Sequence, residues 1–282
     1  MSIVTVNGIE MYYEEHGPED GESVLLIAGL SLNTTTWFRQ IPALADAGYR
    51  VIPFDNRGAG RSGKPEIAYS VPMFADDTAA LMDALGIESA HICGMSMGGM
   101  IAQELALRHP SRVRSLALLC TTPGDRGSAQ STVRLGDPAN EGLTPAEIFD
   151  RSLPWFYSEA YGGAHRDEIV RRAAENAHLR IDPAQFARQL GAIRGDADGR
   201  GGHDTLERLG EISVPTLVLA GKDDPLVPVE NSRTLAREIP GARYVEYPMG
   251  RHYFHIELAD AVNDELVRFF ASVASAAGVQ TS

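Results

Sequence analysis

Short apolar runs recur along the chain, separated by longer stretches in which apolar residues return every three or four positions. The runs lie at residues 24–28, 50–54, 91–94, 113–120, 216–220 and 243–247. Several are apolar at nearly every position, as expected of parallel strands covered on both faces. Between them, Phe74, Thr78, Leu81 and Leu85 fall on one face of a predicted helix, and 100–108 reads as a helix that stops before Pro110. At the start, 3–6 and 11–15 flank Asn7-Gly8, a turn signal that predicts a hairpin. Strands alternating with helices predict an α/β fold, with a mostly parallel central sheet and helices on both faces.

One interval breaks the rhythm. Residues 123–212 hold no convincing buried-strand run but show helical patterns at 145–152, 166–178 and 183–194. Asp204 with Glu207 has the spacing of a capping box for a further short helix. Gly195, Gly199, Gly201 and Gly202 mark a flexible stretch just before it. The expected organisation is a core in two parts, 1–122 and 213–282, with 123–212 inserted as a helical cap. An independent helical domain is the alternative.

Composition narrows the class. Hydrophobic residues at 44% and charged residues at 22% are those of an ordinary folded chain. No stretch reaches the ~18–20 apolar residues of a membrane span. The acidic beginning, with Glu10, Glu14 and Glu15, lacks the pattern of a secretory signal. Twenty-five basic against 38 acidic residues give a net charge of −13, which disfavours nucleic acid and anionic membrane as partners. Cys93 and Cys120, both in apolar runs, fit reduced thiols in a cytoplasmic protein rather than a disulfide framework.

Two phosphate-loop signals are discounted. Gly58, Gly60 and Gly63 spell G-x-G-x-x-G after a predicted strand, and 58–64 matches the start of a P-loop. Pro65 stands where a magnesium-holding Ser or Thr would be, and no helix opens directly from the glycines. A tight loop needing small residues is the preferred reading, and no cofactor is expected.

Gly94-Met95-Ser96-Met97-Gly98 is G-x-S-x-G, a weak signal as a string. Its place between a buried-strand run and a helix pattern makes it a candidate nucleophile elbow. Such a turn lifts the Ser96 hydroxyl above the sheet edge, and the Met97 amide at the helix start points at a developing oxyanion. A helix-capping serine after a glycine turn is the plainer alternative. A serine needs a base, and chain order on such sheets runs serine, acid, histidine. His252 and His255 lie beyond the last plausible acid, and His252, in a loop after a strand, is preferred. The pair carries a metal hint that no third ligand supports, so no metal is expected. Asp223 and Asp224 follow the predicted strand 216–220 through Gly221-Lys222; Asp224, before Pro225, is preferred as the acid that orients the imidazole.

These residues resemble the α/β-hydrolase superfamily, and more narrowly small capped bacterial esterases and lactonases such as 3-oxoadipate enol-lactonases and polyketide methylesterases. The likeness rests on residues 55–62, 94–99, 221–225 and 250–252, with Glu257 beyond. It implies that the glycine loop is the one this family carries after its fourth strand. It also supports Asp224, and implies a second oxyanion donor after the third strand, the amide of Leu30. There this chain has Ala28-Gly29-Leu30 where the commonest pattern is His-Gly-x. The expected function is a serine hydrolase of a small-molecule carboxylic ester or lactone, working through an acyl-enzyme on Ser96, with self-association left open. Carbon–carbon bond hydrolysis or acyl transfer on the same residues is the alternative; a non-catalytic receptor or a nicotinamide oxidoreductase are the competitors from other classes. Trp155, Phe156, Tyr157 and Tyr161 cluster in the cap, with Phe149 before them, and either seal it onto the core or line the pocket. Trp155 and Tyr157 are the first candidates for substrate contact.

Overall fold

The computed structural model describes residues 2–124, 145–195 and 201–279, with backbone alone for 145–149 and 275–279. Strands β1 (Ser2–Val6) and β2 (Ile9–Tyr13) form the N-terminal hairpin, in register from Ser2 opposite Tyr13 to Val6 opposite Ile9. Its turn residues Asn7 and Gly8 have φ of 45° and 77°, as a two-residue hairpin loop requires. Six more strands follow: β3 (Ser23–Ile27), β4 (Arg50–Phe54), β5 (Ala90–Met95), β6 (Val113–Leu119), β7 (Thr216–Gly221) and β8 (Arg243–Tyr247). They join one sheet of order β1-β2-β4-β3-β5-β6-β7-β8. Only the hairpin and its junction with β4 are antiparallel; from β4 to β8 every neighbour runs parallel.

Alternation along each strand divides the core into two layers. Leu25 and Ile27 of β3 and Ile92 of β5 enter one apolar cluster, which helices α2 (Val71–Ala84) and α3 (Met97–Arg108) cover with Phe74, Leu81, Ile101 and Leu105. Val24, Leu26 and Cys93 point the other way, into a cluster closed by Leu44 of α1 (Gln40–Asp46) and by Leu266 and Phe270 from the last helix. The period-2 geometry of a strand makes this division automatic once both faces are apolar. β8 departs from the expected doubly buried pattern. It is the sheet's edge, and none of its residues is fully buried.

The chain leaves the sheet after β6 and returns in the neighbouring strand, β7, through helices and no strand among the described residues. These helices are α4 (Pro145–Phe156), α5 (Glu159–Ala164), α6 (Arg166–Glu175) and α7 (Pro183–Arg194). α4 runs one turn past its expected end, with Pro154 inside its last turn. The expected helix over 166–178 is broken, since α6 ends at Glu175 and a 3-10 turn, Ala177–Leu179, follows. The expected capping box is also replaced. Asp204 Oδ1 accepts the amide of Leu206, two residues on, and the element it precedes is a 3-10 helix, Leu206–Glu211, with Thr205 at its N-cap. Of the glycine stretch, Gly199 lies outside the described residues. The inserted segment closes on itself at its base: Gly124 and Asp204 form an antiparallel bridge, and Thr205 N donates to Pro123 O at 2.6 Å.

After β7 come α8 (Val229–Glu238), then β8, the short α9 (Phe254–Glu257) and α10 (Ala259–Val279). Among the described residues no helix is long and apolar enough to cross a membrane. The carboxyl ends of β3, β5, β6 and β7 all open toward the inserted helices, where ligands bind on parallel sheets.

Candidate active site

Ser96 links β5 to α3 with φ of 53° and ψ of −122°, a backbone region that residues with a Cβ rarely adopt. The turn is held from both sides. Ser96 N donates to Leu119 O of β6 at 2.9 Å, and Thr121 Oγ1 donates to Ser96 O at 2.7 Å. The flanking glycines are needed for space. A Cβ on Gly98 would sit 2.0 Å from Ile27 O, and one on Gly94 would sit 2.2 Å from Gly98 O. Met97 opens α3, so its amide has no acceptor within the helix and faces the same end of the sheet as Ser96.

Asp224 and His252 come together behind this turn. Asp224 Oδ2 and His252 Nδ1 are 2.8 Å apart, with both side chains almost fully buried. Asp224 Oδ1 accepts the amides of Leu226 and Val227 at 2.8 and 3.0 Å, so both carboxylate oxygens are held. Asp223 faces solvent. Burial alone would lower the basicity of His252, but the Asp224 carboxylate outweighs it, and the imidazole is held well above its ordinary value of 6.5. His255 is separate. Its ring packs beside Trp37 and Tyr253 with centroids at 5.5 and 5.7 Å, and burial, then the neighbouring His252, push its basicity down to about 3. Its ring is buried among aromatic neighbours, as a packing histidine is.

Cys120 lies closer to the pair than the sequence suggested. Its Sγ donates to the carbonyl of His252 at 3.4 Å, and burial pushes the thiol up. Cys120, Asp224 and His252 bring ligand-type atoms within 4.8 Å of one another, and His255 takes no part in that cluster. The bond between Asp224 and His252 already occupies the space between those two groups.

Leu30 lies in the turn after β3, where Leu32 N donates to Gly29 O at 3.1 Å. Asn56 Nδ2 donates to Ala28 O at 3.1 Å, and Thr34 N donates to the buried Asp55 carboxylate at 2.7 Å. The glycine loop therefore braces the Leu30 loop. Asp55 also accepts Arg61 N at 2.8 Å, and a Cβ on Gly60 would lie 2.1 Å from its Oδ2. The amides of Gly58 and Gly63 are bonded to Gly63 O and Glu10 O. Arg57 pairs with the buried Asp77 through two hydrogen bonds of 2.5 and 2.7 Å.

Ser96, His252 and Leu30 line a single cavity of about 170 Å³. Met100, Phe186, Ile193 and Leu226 supply apolar walls, Phe186 and Ile193 coming from α7. A larger cavity of about 490 Å³ lies next to it under α4 and α6. Tyr157 lines this outer chamber, while Trp155 lines neither. Ser31, Leu32, Phe156 and Tyr253 line both and stand between them. Phe156 belongs to the aromatic cluster expected to seal the cap or line the pocket, though not to its first candidates, while Phe186 and Ile193 were not singled out, since which cap residues face inward is fixed only by how the cap docks.

A family described as the alpha/beta hydrolase fold matches residues 22–259. A protein of Variovorax paradoxus named as the carbamate hydrolase RutD is 32% identical over 272 residues, covering 95% of this chain and 98% of that one. The enol-lactonase of Burkholderia xenovorans LB400 superposes with a TM-score of 0.82 at 30% identity, over 96% of this chain and all of that one. The meta-cleavage product hydrolase of Pseudomonas fluorescens IP01 gives 0.82 at 27%, over 96% and 98%. The sheet order, the turn at Ser96 and these likenesses agree, and the chain belongs to the alpha/beta-hydrolase family.

Proposed function

We propose that this protein hydrolyses a small carboxylic ester or lactone through an acyl-enzyme on Ser96. The 2.8 Å pairing of His252 with Asp224 carries the reading, because it leaves the far side of the imidazole facing the cavity that Ser96 also lines. Ser96 Oγ attacks the carbonyl carbon while His252 takes its proton, and Asp224 stabilises the resulting imidazolium. The carbonyl oxygen becomes an oxyanion held by the amides of Leu30 and Met97, each such donor being worth roughly 2.7–4 kcal/mol. Collapse expels the alkoxide with the proton from His252. Water then gives a proton to His252 and attacks the acyl carbon, and His252 returns that proton to Ser96 Oγ as the bond from the acyl carbon to Oγ breaks and the acid leaves. For a lactone the leaving alkoxide stays tethered, and acid and alcohol leave as one hydroxy acid.

In this reading 123–212 is the cap and 1–122 with 213–282 the catalytic core. Carbon–carbon bond hydrolysis is the second reading, favoured by the likeness to a meta-cleavage product hydrolase. A fluorophosphonate probe tests the nucleophile: labelling at Ser96, absent in Ser96→Ala, is expected. A panel of p-nitrophenyl esters, simple lactones, an aryl carbamate and a vinylogous diketone then ranks the reactions. No labelling of the folded protein would sink the assignment and favour a receptor.

A further inference from the structure

We propose that Gln189, a residue of the cap, is a positioning residue for the oxyanion hole, so that docking of the cap completes the catalytic site; this rests on the assignment of Leu30 above. Gln189 lies on α7 and is fully buried. Its Oε1 accepts the amide of Ser31 at 2.9 Å, and its Nε2 donates to the carbonyl of Arg57 at 3.0 Å. One amide side chain thus joins the cap to the loop after β3 and to the glycine loop after β4.

The bond to Ser31 falls at a critical place. Gly29 to Leu32 form a turn closed by Leu32 N donating to Gly29 O, and Ser31, its third residue, has φ of 65°. Positive φ at that position alone defines a type II turn, which ordinarily places glycine or asparagine there. A serine stays in that region only where its surroundings hold it. The Ser31 N–H belongs to the central peptide of the turn, the peptide that rotates when a type II turn relaxes to type I. Gln189 Oε1 holds it. Released, Ser31 returns to negative φ, the Leu30–Ser31 peptide turns over, and the Leu30 amide beside it loses its aim. The same bond occupies the Ser31 amide, leaving the Leu30 amide as this turn's oxyanion donor. Gln185, one helical turn earlier, binds only the glycine-loop side, through Tyr69 Oη at 2.5 Å and Lys64 O at 3.3 Å. It is a natural control.

The test uses Gln189→Met, which fills the volume but drops both bonds, in the wild-type and Ser31→Gly backgrounds. Glycine adopts positive φ freely, so the turn survives in it without the glutamine. With p-nitrophenyl acetate, Gln189→Met is expected to lower kcat about ten-fold or more with KM within about two-fold, since donors act only within tenths of an ångström. Affinity for a trifluoromethyl ketone, whose adduct carries the oxyanion, falls by the same factor. In the Ser31→Gly background the added loss shrinks to within about three-fold. Gln185→Ala changes the melting temperature but neither kcat nor ketone affinity. Should Gln189→Met fold poorly, Gln189→Glu keeps an acceptor for Ser31 and is expected to keep most of kcat. Equal losses in both backgrounds, or a wild-type kcat in Gln189→Met, would overturn the proposal. Ser96→Ala in parallel separates the cases: if it stays active the triad reading fails, and if it is inactive only the role of Gln189 is at stake.

Discussion

The backbone N–H of Tyr253 donates to the carbonyl of Phe156 at 2.9 Å, so the residue after His252 is bonded to the last residue of α4. The two rings also stack, 4.6 Å apart. Nearby, the Glu257 carboxylate accepts Ser158 N and Ser158 Oγ from the cap and Arg251 N from the histidine loop, at 3.1, 2.5 and 3.0 Å. His252 therefore sits in a loop whose anchors are shared with the cap.

That arrangement makes Glu257 a sensitive position. Glu257→Ala removes an acceptor from three donors at once, and hydrogen bonds to a charged group are each worth about 1.5–3 kcal/mol. The expected outcome is a lower melting temperature together with a fall in kcat, because the His252 loop loosens. Glu257→Gln keeps one acceptor oxygen and should lie between. A stability loss with unchanged kcat would show that the loop holds its position without the carboxylate.

The histidines give opposite pH signatures. His252 must be neutral to act as base, and Asp224 holds its basicity above 6.5 despite burial. The acid limb of kcat/KM is therefore expected above pH 6.5, and in Asp224→Asn, with far lower activity, it should move down. On stability, the raised value makes the charged pair's contribution complete below pH 6.5 and lost as pH rises through the raised value. His255, lowered by burial to about 3, and His203, lowered by burial to about 4, act in the other direction. There the unfolded chain binds protons that the folded chain refuses, so stability falls as pH drops from 6.5 toward 3, by up to about 1.4 kcal/mol per pH unit per group. His255→Phe should flatten the acid limb of a denaturation series while retaining activity, whereas His252→Ala should abolish activity. The reverse result would exchange their roles.

The turn at Ser96 predicts a steric outcome. Gly98→Ala places a methyl 2.0 Å from Ile27 O, a backbone atom of a central strand that cannot yield. Either β3 shifts, opening the Leu30 loop, or the elbow flattens. Both remove activity, and overpacking typically costs about 1–3 kcal/mol of stability or more. Activity within about ten-fold of the wild type, read beside a thermal melt, would contradict the close approach.

Legibility in the sequence follows what each feature depends on. β3, β5, β6 and β7 were readable because a strand buried on both faces must be apolar throughout. The Ser96 turn was readable because strand, glycines and helix are contiguous. Asp224 and His252 were readable from their places at strand ends, though only the fold turns Asp223 to solvent and buries Asp224. β8 was located correctly, but its exposure comes from standing at the sheet edge, which no local pattern records. The extension of α4 was hidden by Pro154, which reads as a stop although it falls in the last turn, where little helix remains to disrupt. Gln185 and Gln189 lie four residues apart beside Ala192 and Ile193, two polar residues on a buried face, and that was the one available sign of the contacts they make with the core.

The aromatic cluster shows the same limit and yields the last prediction. Consecutive helical residues point about 100° apart, so Trp155 and Phe156 cannot share a direction. Docking of the cap puts Phe156 on the wall between the inner chamber beside Ser96 and the outer one, with Tyr157 in the outer one. Phe156→Ala opens part of that wall, leaving Leu32 and Tyr253 in place, and keeps its backbone bond to Tyr253 intact. The inner cavity, about 170 Å³, limits the group that can sit beside Ser96, while the outer adds about 490 Å³. Short acyl esters are expected to lose rate in Phe156→Ala as their packing loosens, and long acyl esters to gain, so the chain-length optimum moves upward. Trp155→Ala should leave the ranking unchanged, and Tyr157→Ala should affect only substrates long enough to reach the outer chamber. Measured as kcat/KM over p-nitrophenyl acetate to decanoate beside a thermal melt, a uniform fall in every rate with a lower melting temperature would make Phe156 a packing residue, with the two chambers remaining separate in the working enzyme.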